Sequence, residues 1–172
     1  GQLAWVADRV AEGNSAINAK LTADMDLGGI DWQPIGDATH PFGGVLDGDS
    51  HTIRNLTVSD RSNAGLFGIV KGGAISGLTF ETPRLVYAKA ASNVGVVCGQ
   101  LLPHSRTAYV LNCAVNGGQL NAYNGSADWG GIVGRAGENT ALFACSFEGE
   151  LRGYENAGGI LGHAESGVKV QQ

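Results

Sequence analysis

The chain has 172 residues, a net charge of −5 and 28 glycines, whereas glycine usage averages roughly 7% in globular proteins. Its 11 Lys and Arg residues are scattered singly, which excludes the basic stripe of a nucleic-acid-binding protein. No apolar run approaches the roughly 20 residues that a membrane-spanning helix needs, so no membrane span is predicted in this segment.

The first predicted element is a helix over residues 2–12. Leu3, Val6 and Val10, with the alanines that follow the two valines, share one helical face, and Gly13-Asn14 provides a stop signal. This pattern occurs once, whereas the rest of the chain is repetitive. We therefore expect the helix to cover the first core layer of a repeat array, which would otherwise be open to water.

After the helix, the apolar period changes from helical to alternating. Apolar residues alternate with polar ones from Leu21 to Leu27, which predicts one half-buried strand ending at Gly28-Gly29. Turn-rich sequence then continues through Asp47-Gly-Asp-Ser50. These features indicate short strands joined by tight turns.

Glycine-flanked apolar segments recur four times in the remaining chain. Their closing glycines are separated by 31, 35 and 28 residues, and each segment follows an Asn or Asp that favours a turn. A period between 20 and 50 residues is typical of solenoids. The segments are 64–68, 95–99, 130–134 and 158–162, and the turn residues are Asn63, Asn93, Asp128 and Asn156.

A second apolar pattern alternates with the first. It has the form apolar-x-x-(Leu or Cys)-x-apolar, followed six or seven residues later by a leucine anchor. The copies are Ile53/Leu56/Val58, Ile75/Leu78/Phe80, Val110/Cys113/Val115 and Leu142/Cys145/Phe147, and the anchors are Leu85, Leu120 and Leu151.

These repeats predict an all-β fold: a right-handed parallel β-helix, or solenoid, with three short strands per rung and an N-terminal capping α-helix. Equivalent residues of successive rungs would lie about 4.8 Å apart. The competing fold is a propeller or sandwich built from antiparallel hairpins. The β-helix predicts two inward ladders of apolar residues. The ladders are Phe67, Cys98, Val133, Leu161 and Leu78, Cys113, Cys145.

The sequence divides into a capping helix (1–14), lead-in strands and turns of the first rungs (15–60) and the repeats (61–172). The spacing after Gly162 places the last residues in the middle of a rung. We therefore expect the solenoid to continue into further domains of the same polypeptide.

Polar residues give no convincing catalytic set, metal site or cofactor site. Cys98, Cys113 and Cys145 fall in apolar slots without CxxC spacing, so they are interpreted as buried small hydrophobic residues. His51 is interpreted as a turn residue satisfied by the backbone. Asp24, Asp26 and Asp31 could offer oxygen ligands to calcium, but the alternation favours a solvated strand face.

The glycine-flanked segments resemble those of GLUG-motif proteins, named for the Gly-Leu-x-Gly pattern seen here as Gly65-Leu-Phe-Gly68. Residues Leu21 to Ile35 and Phe42 to Leu56 are similar to the segment that commonly precedes such repeats. The second repeat departs from the pattern with Val-Val-Cys-Gly. The resemblance implies a segment of a large secreted or surface-anchored bacterial protein, either adhesin-like or of the IgA-peptidase type, and it brings no catalytic residues.

Two sets of surface residues are candidates for binding. Tyr123 and Tyr154 each follow a leucine anchor by three residues and Tyr87 lies near the same corner, so stacked tyrosines could contact sugar rings. Glu81 and Glu148 occupy equivalent outward positions two rungs apart, about 9–10 Å by strand spacing, near the range that inverting glycosidases use.

The sequence therefore predicts a non-enzymatic structural or adhesive module of a secreted or cell-surface bacterial protein, which presents a face to an extracellular glycan or a host protein. The alternative is a polysaccharide-processing β-helix enzyme, either a lyase or a glycosidase. A lyase would need a basic side chain beside acidic residues on one face. The basic residues Lys71, Arg84, Lys89 and Arg152 show no such register in the sequence.

Overall fold

The computed structural model describes all 172 residues and contains one helix and 19 short strands. These are α1 (Gln2–Ala11), β1 (Ala19–Lys20), β2 (Met25–Asp26), β3 (Val45–Asp47), β4 (Thr52–Arg54), β5 (Phe67–Lys71), β6 (Ala74–Ser76), β7 (Thr79–Glu81), β8 (Arg84–Val86), β9 (Ser92–Gly95), β10 (Cys98–Leu102), β11 (Tyr109–Leu111), β12 (Ala114–Asn121), β13 (Ala127–Gly130), β14 (Val133–Ala136), β15 (Ala141–Phe143), β16 (Ser146–Arg152), β17 (Glu155–Gly158), β18 (Leu161–Ala164) and β19 (Lys169–Gln171).

All strand pairings are parallel and join one coil to the next, so the strands form a β-solenoid of about 5 turns. This confirms the predicted parallel solenoid with an N-terminal helix. Four sheets run along its axis. We call them sheet I (β1-β3-β6-β11-β15-β19), sheet II (β5-β10-β14-β18), sheet III (β2-β4-β7-β12-β16, with β8 also paired to β12) and sheet IV (β9-β13-β17).

A complete coil therefore crosses four sheets, whereas the sequence predicted three strands per rung. The coil from β9 to β12 shows why. The chain bends at Val96-Val97, between the end of β9 and the start of β10, so the glycine-flanked segment forms a corner between two strands. The repeat pattern alone predicts one strand for that segment.

Glycine is required on both sides of this corner because the backbone of the same coil and of the neighbouring coils leaves no room for a Cβ atom. A Cβ added to Gly95 would lie 2.7 Å from Gly134 N and from Ile132 O, both on the following coil. A Cβ on Gly99 would lie 2.5 Å from Ala64 N on the preceding coil. Pairing aligns these glycines into two columns along the axis, one of Gly65, Gly95, Gly130 and Gly158, the other of Gly68, Gly99, Gly134 and Gly162.

One apolar core runs through the solenoid and contains 39 buried residues. The ladder of Phe67, Cys98, Val133 and Leu161 is paired as predicted. The cysteines of the second ladder are buried and unpaired, which confirms their interpretation as small core residues. At the N-terminal end, α1 contributes Leu3, Val6 and Val10 to the core.

Two predictions for the N-terminal half were wrong. Of the strand predicted from Leu21 to Leu27, only β2 forms, because the chain turns between β1 in sheet I and β2 in sheet III. Ile53 pairs with Phe80, and Leu46 pairs with Ile75, so the first copy of the second repeat begins at Leu46 and Ile53 occupies its third apolar position instead of its first. The turn through Asp49 and Ser50 lengthens this coil, which displaced the apparent register.

The predicted turn residues adopt the left-handed conformation, with φ of 54° at Asn63, 60° at Asn93, 59° at Asp128 and 51° at Asn156. Asn93 Nδ2 donates to Asn63 Oδ1 (3.0 Å), and Asn156 Nδ2 donates to Asp128 Oδ1 (2.8 Å). The buried Asp128 carboxylate is also paired with Arg135 at 3.0 Å. This polar ladder ties the corner of one coil to the next.

Replacement of Gly130 by alanine tests the corner constraint. The new Cβ would lie 1.9 Å from Val133 O, whereas a Cβ at Gly159 meets nothing within 4 Å. We expect Gly130→Ala to lower the free energy of unfolding by about 3 kcal/mol and Gly159→Ala to change it by less than about 0.5 kcal/mol. Urea unfolding followed by circular dichroism measures both, and equal effects of the two substitutions would refute the constraint.

Ala144 provides a second test because it is strained. It has φ of 50°, and the equivalent residues on the preceding coils are Asn112 and Gly77, at 50° and 66°. Left-handed backbone costs roughly 1–2 kcal/mol for most L-residues but less for asparagine. Ala144→Asn is expected to raise the free energy of unfolding by about 0.5–1 kcal/mol. Ala88→Asn, at an exposed residue without positive φ, is the control and should bring no gain.

Candidate ligand-binding surface

The outer face of β8, β12 and β16 gathers polar side chains from three successive coils. Pairing aligns Arg84 with Gln119 and Gln119 with Glu150 in one column. Val86, Asn121 and Arg152 form the neighbouring column. Together with Leu120, these residues line an open cavity of about 270 Å³, which we call the polar groove.

Side chains of the polar groove are tied to one another but keep free hydrogen-bonding groups. Arg84 Nη1 donates to Gln119 Oε1 at 2.8 Å, and Arg152 Nε donates to Glu150 Oε1 at 2.7 Å. A guanidinium has five N–H donors and a carboxylate accepts about four hydrogen bonds, so most of this capacity faces solvent. The groove can therefore both donate to and accept from a hydroxylated ligand.

The sequence alone predicts neither this face nor any register of Arg84 and Arg152 with acidic residues. The structure places both arginines on one face with Glu150 and pairs Arg152 with it. A signal was available in the leucine anchors. Because side chains alternate along a strand, the residues on either side of an inward leucine point outward. They align with the residues on either side of the equivalent leucine on the next coil.

Tyr123 and Tyr154 come two residues after Asn121 and Arg152, which line the polar groove. Each stands two residues after the end of its strand, β12 or β16, and their exposed fractions are 51% and 58%. Aromatic faces that remain open to solvent can pack against the apolar faces of sugar rings. These two of the three predicted tyrosines are therefore available on the surface.

Tyr87 lies in the core instead, with an exposed fraction of 5%. It directly follows the last residue of β8, one position earlier than Tyr123 stands after β12, and this single step turns its ring inward. The ring packs edge-on against Trp129 with centroids 4.8 Å apart. Burial raises the pKa of its hydroxyl.

The two predicted glutamates have different surroundings. Glu81 Oε2 accepts a hydrogen bond from Arg54 Nε at 2.8 Å, so its carboxylate is engaged by the coil before it, on the side away from Glu148. Glu148 is exposed and lies where the pairing of β12 with β16 shifts between Val115 and Gly118. Their use as a carboxylate pair stays a prediction.

The aspartates near the N-terminus form polar contacts between coils. Asp24 accepts hydrogen bonds from Thr52 N at 3.0 Å and from Arg54, and its Oδ1 lies 3.1 Å from His51 Nδ1. His51 therefore has a side-chain partner that the sequence analysis did not predict. Asp26 accepts from Asn55 Nδ2 at 2.9 Å, and Asp31 pairs with Arg61 at 3.0 Å.

No protein-family model matches the chain. A protein named "Putative Gly-rich membrane protein", from Evansella cellulosilytica, is 33% identical over 88 residues, which are 45% of this chain and 10% of that protein. Halomucin, from Haloquadratum walsbyi, is 36% identical over 88 residues, which are 48% of this chain and 1% of that protein. The chain thus spans only a small part of the length of these relatives.

Among solved structures, a protein from Bacteroides ovatus described as "a putative immunoglobulin A1 protease" is similar, with a TM-score of 0.63 and 23% identity. The similarity covers 96% of this chain and 61% of that one, and it supports the solenoid fold alone. No helix of the structure has the length and apolar character needed to cross a membrane.

The contacts of Asp24 and Asp26 predict a loss of stability in acid. Hydrogen bonds, chiefly from Thr52 N to Asp24 and from Asn55 to Asp26, hold the pKa of each carboxyl below its usual 3.8. A carboxyl with a lowered folded-state pKa stabilises the fold above its unfolded-state pKa and loses that effect as the pH falls through the folded value. We expect the midpoint temperature of thermal unfolding to decrease when the pH is lowered below about 4. The decrease should be smaller in an Asp24→Asn/Asp26→Asn variant. Thermal unfolding between pH 2 and 6 measures this, and identical acid profiles for both proteins would contradict it.

Proposed function

We propose that this chain is a non-enzymatic β-solenoid module of a secreted or cell-surface bacterial protein and that it binds glycans. The observation that carries the proposal is the polar groove with two exposed tyrosines beside it. Parallel stacking repeats the same outward positions on three coils, which creates an extended surface suited to a chain-like ligand.

The chemistry of the groove fits sugars. Sugar hydroxyls both donate and accept hydrogen bonds, and Arg84, Asn121 and Glu150 together offer both functions. Tyr123 and Tyr154 add aromatic faces at the margin of the groove. The groove carries charges of both signs, with Glu150 and Arg152 already paired, so a neutral or mixed glycan fits better than a polyanion.

The proposed location is supported by the names of the proteins that this chain resembles. Its sequence relatives bear the names of a Gly-rich membrane protein and a halomucin, and its structural neighbour bears the name of a protease. The resemblance of its glycine-flanked segments to GLUG repeats supports a place in a large secreted or surface-anchored protein. An adhesive role is consistent with a surface that is extended and has short loops.

No specific observation favours the enzymatic alternative. Glu81 is engaged by Arg54, and Glu148 lies where the strand pairing is irregular. Glu150, the carboxylate of the polar groove, is exposed, and burial is the usual means by which a protein raises the pKa of a catalytic carboxyl.

Binding to a glycan array that includes neutral, sialylated and sulfated glycans tests the proposal, followed by calorimetry with the best-bound oligosaccharide. A Tyr123→Ala/Tyr154→Ala variant should weaken binding by about thirtyfold, because each stacked ring contributes about 1 kcal/mol. Arg84→Ala should weaken it by a similar factor.

Trp5→Ala is the matched control, since Trp5 is an exposed aromatic residue on α1 with an exposed fraction of 54%. This variant should bind like the unmodified protein. Failure of every glycan on the array to bind, or binding that survives loss of both tyrosines and of Arg84, would overturn the assignment of the polar groove.

A further inference from the structure

One connection of the solenoid is longer than its equivalents on the other coils. The connection from sheet II to sheet I has six residues (103–108) between β10 and β11. The same connection has two residues after β5 and four after β14 and β18. In repeat proteins, insertions into single repeats form loops that often carry the binding site.

This longer loop places three basic side chains around one cavity of about 370 Å³. The loop provides His104 and Arg106, and Lys71 comes from the end of β5 on the preceding coil. Two hydroxyl side chains, Ser15 and Ser105, also line the cavity, and none of its lining residues is acidic. We call this cavity the basic pocket.

The cations of the basic pocket are not neutralised within the protein. Most arginines outside the basic pocket form ion pairs with Asp or Glu, as Arg54, Arg61 and Arg135 do. Lys71 and Arg106 form no ion pair, although the chain as a whole carries a net charge of −5. Their charges therefore remain available to an anion from outside.

The walls of the basic pocket are held in place by close backbone contacts. Arg106 Nη2 donates to Gly43 O at 3.0 Å, which fixes one end of the guanidinium against another coil. Gly72 packs under the loop, since a Cβ at this position would lie 2.8 Å from His104 Cβ. These contacts constrain Arg106 and the loop, and Lys71 is held at the backbone by the pairing of β5 with β10.

We propose that the basic pocket binds an oxyanion group, such as a sulfate, a phosphate or a carboxylate. A guanidinium donates two parallel hydrogen bonds to such a group, and an ammonium adds a point charge. The serine hydroxyls can donate further hydrogen bonds to it. This site shares no residue with the polar groove, so either can fail without the other.

Titration of the ¹⁵N-labelled protein with sodium sulfate, sodium phosphate or sodium glucuronate tests the proposal. Sodium chloride holds the ionic strength constant, and glucose serves as the uncharged counterpart of glucuronate. Saturable shifts are expected for the amide signals of Gly72, His104 and Arg106. Sulfate or phosphate binding identifies a tetrahedral anion as the ligand, and binding of glucuronate but not of glucose identifies a sugar carboxylate.

Lys71→Gln should raise the dissociation constant by about tenfold, because one charged hydrogen-bond donor is lost. Lys71 is exposed and forms no ion pair, so this variant is expected to fold. Addition of Arg106→Gln should abolish saturation, whereas Lys89→Gln, at an exposed lysine outside the pocket, should leave binding unchanged. Shifts that never saturate with any of the three anions, or an unchanged dissociation constant in Lys71→Gln, would overturn the proposal.

Discussion

The fold depends on one steric constraint: successive coils approach so closely at one corner that only hydrogen atoms fit there in place of side chains. A Cβ on Gly95 would strike the following coil, and a Cβ on Gly99 would strike the preceding one. The constraint acts within a coil as well as between coils, since a Cβ on Gly130 would also strike Val133 O of its own coil. Because successive coils present the same bare corner to each other, the glycines recur on four successive coils.

This corner leaves other parts of each coil free to vary. Outward side chains contact water, and a longer loop adds little entropic cost because closure entropy grows slowly with loop length. The connection at 103–108 and the tyrosine-bearing connections after β12 and β16 differ in length between coils, yet the strands on both sides stay paired. The repeated positions thus maintain the pairing of the strands. Residues outside the repeat form surfaces whose chemistry can differ from coil to coil.

The sequence predicted the features that recur and missed those that depend on coil length or on a single step. The ladder from Phe67 to Leu161 was predictable because glycines mark its position on every coil. Ile53 was misplaced because its coil contains an extra turn, and Tyr87 was grouped with exposed tyrosines although it stands one residue nearer to its strand. The basic pocket combines Ser15, Lys71 and Arg106, which belong to no shared repeat position, so no period could align them.

Charge distribution separates the two proposed sites in chemistry. Along the first coils, acidic residues on one strand are paired with arginines on the next, as in Asp24–Arg54–Glu81, and these charges balance locally. In the polar groove, Glu150 and Arg152 likewise hold each other, which leaves a surface suited to hydroxyl groups. The basic pocket has no such internal balance, and its constrained loop keeps Lys71 and Arg106 together without an acidic neighbour lining the cavity. Like charges that line one cavity repel each other, and an oxyanion bound there as proposed would offset this repulsion.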